Sequence, residues 1–193
     1  MVIQYDNFDI FRKNISSFRE TSKDTTNSNI ISYMTQSEVK VVDFDKVKDE
    51  YISKMKLSTT PCSTDALYIN KKSQCYFVEF KNGKISKGKI YSIFNKIYDS
   101  LLIFNDIVNV NISFCRENVN FILVYNETKN PNTDETIMNQ DKNSRVEIGK
   151  YFSKKAKKHF IRFDLEKFQK IYFHEVYTYT EKEFEEQFLL SIE

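Results

Sequence analysis

Glycine is almost missing from this chain, with three residues in 193, and that scarcity excludes several kinds of chemistry. Loops that cradle phosphates and turns that bind dinucleotides need clustered glycines, so that backbone N–H groups can approach a phosphate. Neither pattern occurs, nor does the G-x-S-x-G turn of an esterase-like hydrolase. Kinase-like, dinucleotide-dependent and hydrolase-elbow functions therefore fall away. The two prolines leave no Pro-rich linker, and no repeat or domain boundary interrupts the sequence. Cys62, Cys75 and Cys115 form no C-x-x-C pair and are odd in number, which suits reduced thiols better than a disulfide framework. His159 and His174 lack the i, i+4 spacing of a helical zinc motif. No apolar run reaches about eighteen residues, and the opening MVIQYDNFDIFRKN has no apolar core of signal-peptide length. A cytoplasmic protein with no membrane partner is the expectation.

Charge leans to neither side. Lys plus Arg number 29 against 27 for Asp plus Glu, so any footprint for a polyanion must be local. Hydrophobic residues at 40% and charged residues at 29% fit a globular protein, and the length suits one domain, residues 1–193, able to bury a real core.

The chain is organised around residues 62–83, CSTDALYINKKSQCYFVEFKNG. Residues 63–70 and 74–81 are rich in aromatic, aliphatic and Thr side chains, and the polar NKKSQ between them has the length of a hairpin turn. With the turn centred on Lys72, Ile69 faces Cys75, Leu67 faces Phe77, Asp65 faces Glu79 and Ser63 faces Lys81. Strand side chains alternate with period two, so these eight share one face. Directly opposed Cβ atoms lie about 4.5–5.5 Å apart, and like charges so placed destabilise a sheet. A divalent cation would offset the repulsion of Asp65 and Glu79, because Mg²⁺ favours one or two carboxylates with waters and a substrate phosphate. Lys81 would stand beside a metal-bound water.

Asp65, thirteen intervening residues and Glu79-Phe80-Lys81 at the end of a hydrophobic strand resemble the motif of the metal-dependent PD-(D/E)XK nuclease superfamily, to which many restriction enzymes belong. The resemblance spans roughly residues 43–126, and Thr64 stands where the superfamily's proline would be. It implies an α/β fold of restriction-endonuclease type, a mixed central sheet flanked by helices. It implies phosphodiester hydrolysis, DNA favoured over RNA, with Asp65 and Glu79, together with the carbonyl of Phe80, holding Mg²⁺ or Mn²⁺. Lys81 would orient the attacking water or stabilise developing negative charge. Many members carry a further acid on the helix before the motif, for which Glu50 is the candidate and Glu38 a weaker one.

Other stretches fit around that centre. Phe8, Phe11, Ile15 and Phe18 read as one amphipathic helix, residues 21–29 as a polar loop, and Ile30–Met34 and Val39–Val42 as short strands. Asp43 reads as the N-cap of a helix carrying Phe44, Val47, Tyr51 and Met55. A helical stripe of Ile90, Ile93, Phe94, Ile97, Leu101 and Phe104 runs over about residues 87–105, with Lys84, Lys87, Lys89 and Lys96 as candidate phosphate contacts. VNFILVY, residues 119–125, reads as a buried strand, and residues 126–146 as a long exposed loop. Glu147–His159 suggests a basic helix with Lys150, Lys154, Lys155, Lys157 and Lys158. Strands are expected at Phe160–Phe163 and Phe173–Tyr179, with a short helix at Leu165–Ile171 between them. Thr180 and Glu183 fit a capping box opening a last helix.

Metal-dependent nucleic-acid cleavage is the leading expectation. The alternative is a nuclease-like module that binds nucleic acid or a protein partner without cutting, and a third reading is a structural protein in which Asp65, Glu79 and Lys81 form an ion-pair cluster. A homodimer is left open, since restriction enzymes that cut both strands commonly dimerise.

Overall fold

A six-stranded mixed sheet organises the computed structural model, which describes residues 2–25, 31–131 and 160–192. The chain begins with α1 (Asp9–Lys13), β1 (Ile15–Ser17) and α2 (Phe18–Thr21). A small two-stranded arm follows, β2 (Lys23–Asp24) with β3 (Ser32–Tyr33), and then β4 (Lys40–Asp43) and α3 (Phe44–Met55). The hairpin β5 (Ala66–Ile69) and β6 (Cys75–Lys81) leads into α4 (Lys87–Val108), α5 (Ile112–Asn118) and β7 (Val119–Tyr125). After a single 3₁₀ turn at Leu165–Phe168 come β8 (Val176–Thr180) and a C-terminal helical segment, α6, over residues 181–192. The order across the sheet is β1-β4-β5-β6-β7-β8, antiparallel as far as β6 and parallel beyond it.

Alternation along the strands divides the interior in two. Leu67, Ile69, Cys75, Phe77, Phe121 and Leu123 face a large core that takes in Phe44 and Val47 of α3 and Ile93, Ile97 and Phe104 of α4. Ala66, Val78, Phe80, Ile122 and Val124 face a smaller core closed by Phe18 of α2 and Phe184 and Phe188 of α6. This is the mixed α/β architecture expected from the sequence, helices covering both faces of the sheet.

The hairpin keeps the register read from its sequence, with Ile69 opposite Cys75 and Leu67 opposite Phe77. Its turn is stabilised by Asn70, whose Oδ1 accepts from the N–H groups of Lys72 and Gln74 at 2.9 and 3.0 Å. Ser73 takes the left-handed conformation, φ 64°, that a three-residue hairpin loop requires after its type I turn. Asp43 caps α3, its Oδ1 accepting from Lys46 N at 3.2 Å, and Thr180 with Glu183 forms the expected capping box.

Several expected elements differ. The Phe8–Phe18 helix is broken at Asn14, whose Nδ2 turns back to the Ile10 carbonyl at 2.8 Å, and Ile15–Ser17 pairs with β4 instead. Phe11 and Phe18 would share one face of a helix, yet they belong to opposite cores. Only a strand crossing the sheet edge between them allows that. Phe160–Phe163 forms no strand. It is tied to β8 through one hydroxyl, Thr178 Oγ1, which accepts from Arg162 N and donates to the Phe160 carbonyl, and the positive φ of Phe163 and Asp164 ends any extended run. The helix expected at Leu165–Ile171 shrinks to the 3₁₀ turn, and the last strand begins at Val176 rather than Phe173. Glu147–His159, with its five lysines, and loop residues 132–146 lie outside the described residues.

Candidate active site

The site grows from the point where β5 begins. One residue before that strand, Asp65 turns its carboxylate across to β6, and Oδ2 accepts from Phe80 N–H at 2.6 Å. A continued ladder would give Thr64 N–H to the Phe80 carbonyl. It goes instead to Ser100 Oγ of α4 at 2.8 Å. The ladder therefore ends beside the Phe80 peptide, and α4 anchors the chain that carries Asp65.

Glu79 projects from β6 toward α4, and there it meets Lys96. The Lys96 ammonium lies 3.0 Å from Asp65 Oδ1 and 2.8 and 2.9 Å from the two Glu79 oxygens. Lys81 approaches Glu79 Oε1 from the other side at 2.5 Å. Both contacts to Oε1 are ionic and poorly directed, since that atom accepts no well-formed hydrogen bond. The Glu79 side chain is 0% exposed, against 16%, 24% and 20% for Asp65, Lys81 and Lys96, so the two ammonium groups stand between Glu79 and solvent. Two negative and two positive charges balance within the cluster.

Burial pushes the Asp65 carboxyl up to about 6, the neighbouring Glu79 charge adds to that rise, and Lys96, Lys81 and the Phe80 N–H oppose it. For Lys96, burial works against the ammonium, but Glu79 and Asp65 outweigh it and raise its pKa above the ordinary lysine value. Lys96 stays charged.

In front of this cluster opens a cleft of about 710 Å³ whose wall includes Asp65, Phe80, Lys81, Lys84 and Lys89. Asp45, from the first turn of α3, also faces it. Its Oδ1 accepts from Ser63 Oγ, and burial, partly offset by that hydrogen bond, raises its pKa. Asp45 escaped the sequence reading because a carboxylate in the first turn of a helix is expected there for the helix dipole alone. The residue whose role changes most is Lys96. Its place on α4 suggested a phosphate contact, whereas it is held by the acidic pair.

The other candidates divide. Lys84 and Lys89 line the cleft, while Lys87 is not on its wall. Glu50 points elsewhere, its carboxylate bound by Asn14 Nδ2 at 3.0 Å and Lys54 Nζ at 2.7 Å. Glu38 is exposed and 4.0 Å from Arg19. Among the described residues no three His, Cys, Asp or Glu side chains gather as a metal-holding group, so the side-chain donors available at the cluster are the carboxylates of Asp65 and Glu79. Two hard oxygen ligands fit an ion such as Mg²⁺, which keeps several waters. In this structure the Lys96 ammonium touches both carboxylates at once.

Comparison with models of protein families, with curated proteins and with solved structures finds no match to this chain.

Proposed function

We propose that this protein is a metal-dependent nuclease that hydrolyses phosphodiester bonds in nucleic acid, DNA in preference to RNA, in the cytoplasm. The observation that carries the reading is the convergence of Asp65 and Glu79 on a single cation-sized point, beside Lys81 and a cleft with further lysines. Asp65 and Glu79 would hold Mg²⁺ or Mn²⁺, with the Phe80 carbonyl at the open end of the ladder as a third oxygen. Such an ion supplies a water nucleophile of lowered pKa and polarises the phosphate. Lys81 places a compact positive charge against the scissile phosphate, where it stabilises the charge that develops during attack. Lys84 and Lys89, as point charges on the cleft wall, hold neighbouring phosphates without reading sequence. No helix among the described residues is long and apolar enough to cross a membrane.

A second reading is a non-cleaving module that binds nucleic acid or a protein partner, and one feature favours it: the four-residue cluster is charge-balanced without any metal. Labelled single- and double-stranded DNA and RNA, incubated with Mg²⁺, Mn²⁺ or EDTA, separate the two. Metal-dependent cutting, lowered about 10³-fold or more in Glu79→Gln and Lys81→Met variants that remain folded, is the expected result. Binding indifferent to EDTA, with no cutting by folded wild-type protein, would replace the nuclease by the binding module.

A further inference from the structure

Lys96 raises a question that the acidic pair alone does not. Its ammonium touches Asp65 and both oxygens of Glu79, so it occupies the point from which a cation would contact both carboxylates. Lys81 does not share that position, because it reaches only Glu79 Oε1 and lies on the cleft wall. Glu79 has no exposed surface of its own. A divalent ion therefore cannot reach both carboxylates while Lys96 stays where it is.

We propose that Lys96 is the resident counter-cation of this site, and that a divalent ion binds by displacing it into the cleft. The inference rests on Asp65 and Glu79 being the metal ligands. Without a positive charge between them, the two carboxylates, both within 3.0 Å of the Lys96 ammonium just beyond the paired part of the hairpin, would repel each other. Lys96 removes that repulsion and holds both groups ready. A divalent ion does the same with twice the charge, and an ammonium left at contact distance would then oppose it. The exit is built into α4. Lys89 and Ser92, seven and four residues before Lys96 on the same face of the helix, are both on the cleft wall. Helical side chains lean toward the helix N-terminus, so a released Lys96 leans toward that wall. Its flexible four-carbon stem allows the movement.

The consequence is an exchange of one cation for another, in which Lys96 sets the metal affinity. Mn²⁺ is the probe. Its dissociation constant is measured by calorimetry for wild type, Lys96→Met, which keeps most of the stem, and Lys96→Arg, which keeps the charge. Lys96→Met is expected to bind Mn²⁺ about tenfold or more tightly than wild type, and Lys96→Arg is expected to gain much less. In EDTA, Lys96→Met should melt below wild type, and Mn²⁺ should abolish the difference.

A second measurement needs no variant: amine acylation of wild type, followed by mass spectrometry, should find Lys96 protected in EDTA and reactive in Mn²⁺. The hairpin-turn Lys72, exposed throughout, serves as the reference. If wild type binds Mn²⁺ at Asp65 and Glu79, as loss of binding in Asp65→Asn would show, yet Lys96 stays protected and Lys96→Met binds no more tightly, the displacement is wrong and the metal site stands. If no variant binds Mn²⁺, the displacement and the metal site fall together.

Discussion

Asp65 is where burial and charge contend most directly. Its carboxyl is taken out of water beside Glu79, and its pKa rises from about 3.8 to about 6 because Lys96, Lys81 and the Phe80 N–H only partly offset those two effects. An acid with a raised folded-state pKa binds its proton more tightly folded than unfolded, so its contribution to stability is complete below about pH 4 and is lost as pH rises through about 6. Replacing it with Asn removes that dependence. Chemical unfolding of wild type and Asp65→Asn across this window should show the difference between them moving against wild type as pH rises, by on the order of 2 kcal/mol. A flat difference, or one of opposite slope, would mean that the ammonium groups fully offset burial and that Asp65 is ionised throughout. The same residue shows what a sequence can reveal about a site. Its partnership with Glu79 follows from counting positions about Lys72, because register is a one-dimensional property of a hairpin. The bridge from Lys96 does not follow, because it depends on how α4 is rotated against the sheet.

Among the elements, legibility tracks how local the determining forces are. α3, α4 and β7 lie close to their expected positions, each being marked by periodicity, a cap or an unbroken apolar run. The N-terminal segment departs from the expected helix although its 3.6-residue spacing is real, because β4 offers an unpaired edge and Ile15–Ser17 takes it. α5 carried no sequence expectation, although Asn111 caps it, its Oδ1 accepting from Ser113 N and Phe114 N at 3.0 and 3.2 Å. Seven residues are too few for an amphipathic stripe to declare itself. The join between elements that matters most to the site is also tertiary. Ser100, buried on α4, accepts the Thr64 N–H at 2.8 Å, and this bond holds the segment leading to Asp65 against the helix. Ser100→Ala leaves a buried N–H without its partner, at an expected cost of about 1–3 kcal/mol. It should also weaken Mn²⁺ binding, since Asp65 would no longer be held over Glu79. Lost stability with unchanged Mn²⁺ affinity would show that the Asp65 Oδ2 bond to Phe80 N–H fixes the carboxylate by itself.

For the whole molecule, the sheet is a partition. The acidic cluster and α4 lie on one side of it with the large core, while α2 and α6 close the smaller core on the other. Phe18 is the centre of that second layer, packing edge-on against Phe184 and Phe188 of α6 at ring separations of 5.3 and 6.2 Å and against Phe80 of β6 at 6.3 Å. Phe18→Ala should cost about 3–5 kcal/mol through the cavity it leaves. Because cooperative units often follow such supersecondary divisions, the loss should be unevenly spread. Hydrogen exchange of the variant is expected to quicken in α2 and α6, while α4, packed on the opposite face, retains the protection it has in wild type. Phe80 links the two layers, since its ring belongs to the small core and its N–H binds Asp65. Faster exchange at Phe80 alone, with α4 unchanged, would trace the route by which the far layer reaches the site. Equal loss of protection in α4 would mean that the two cores melt as one unit, and that the rigidity of the acidic cluster depends on both faces of the sheet.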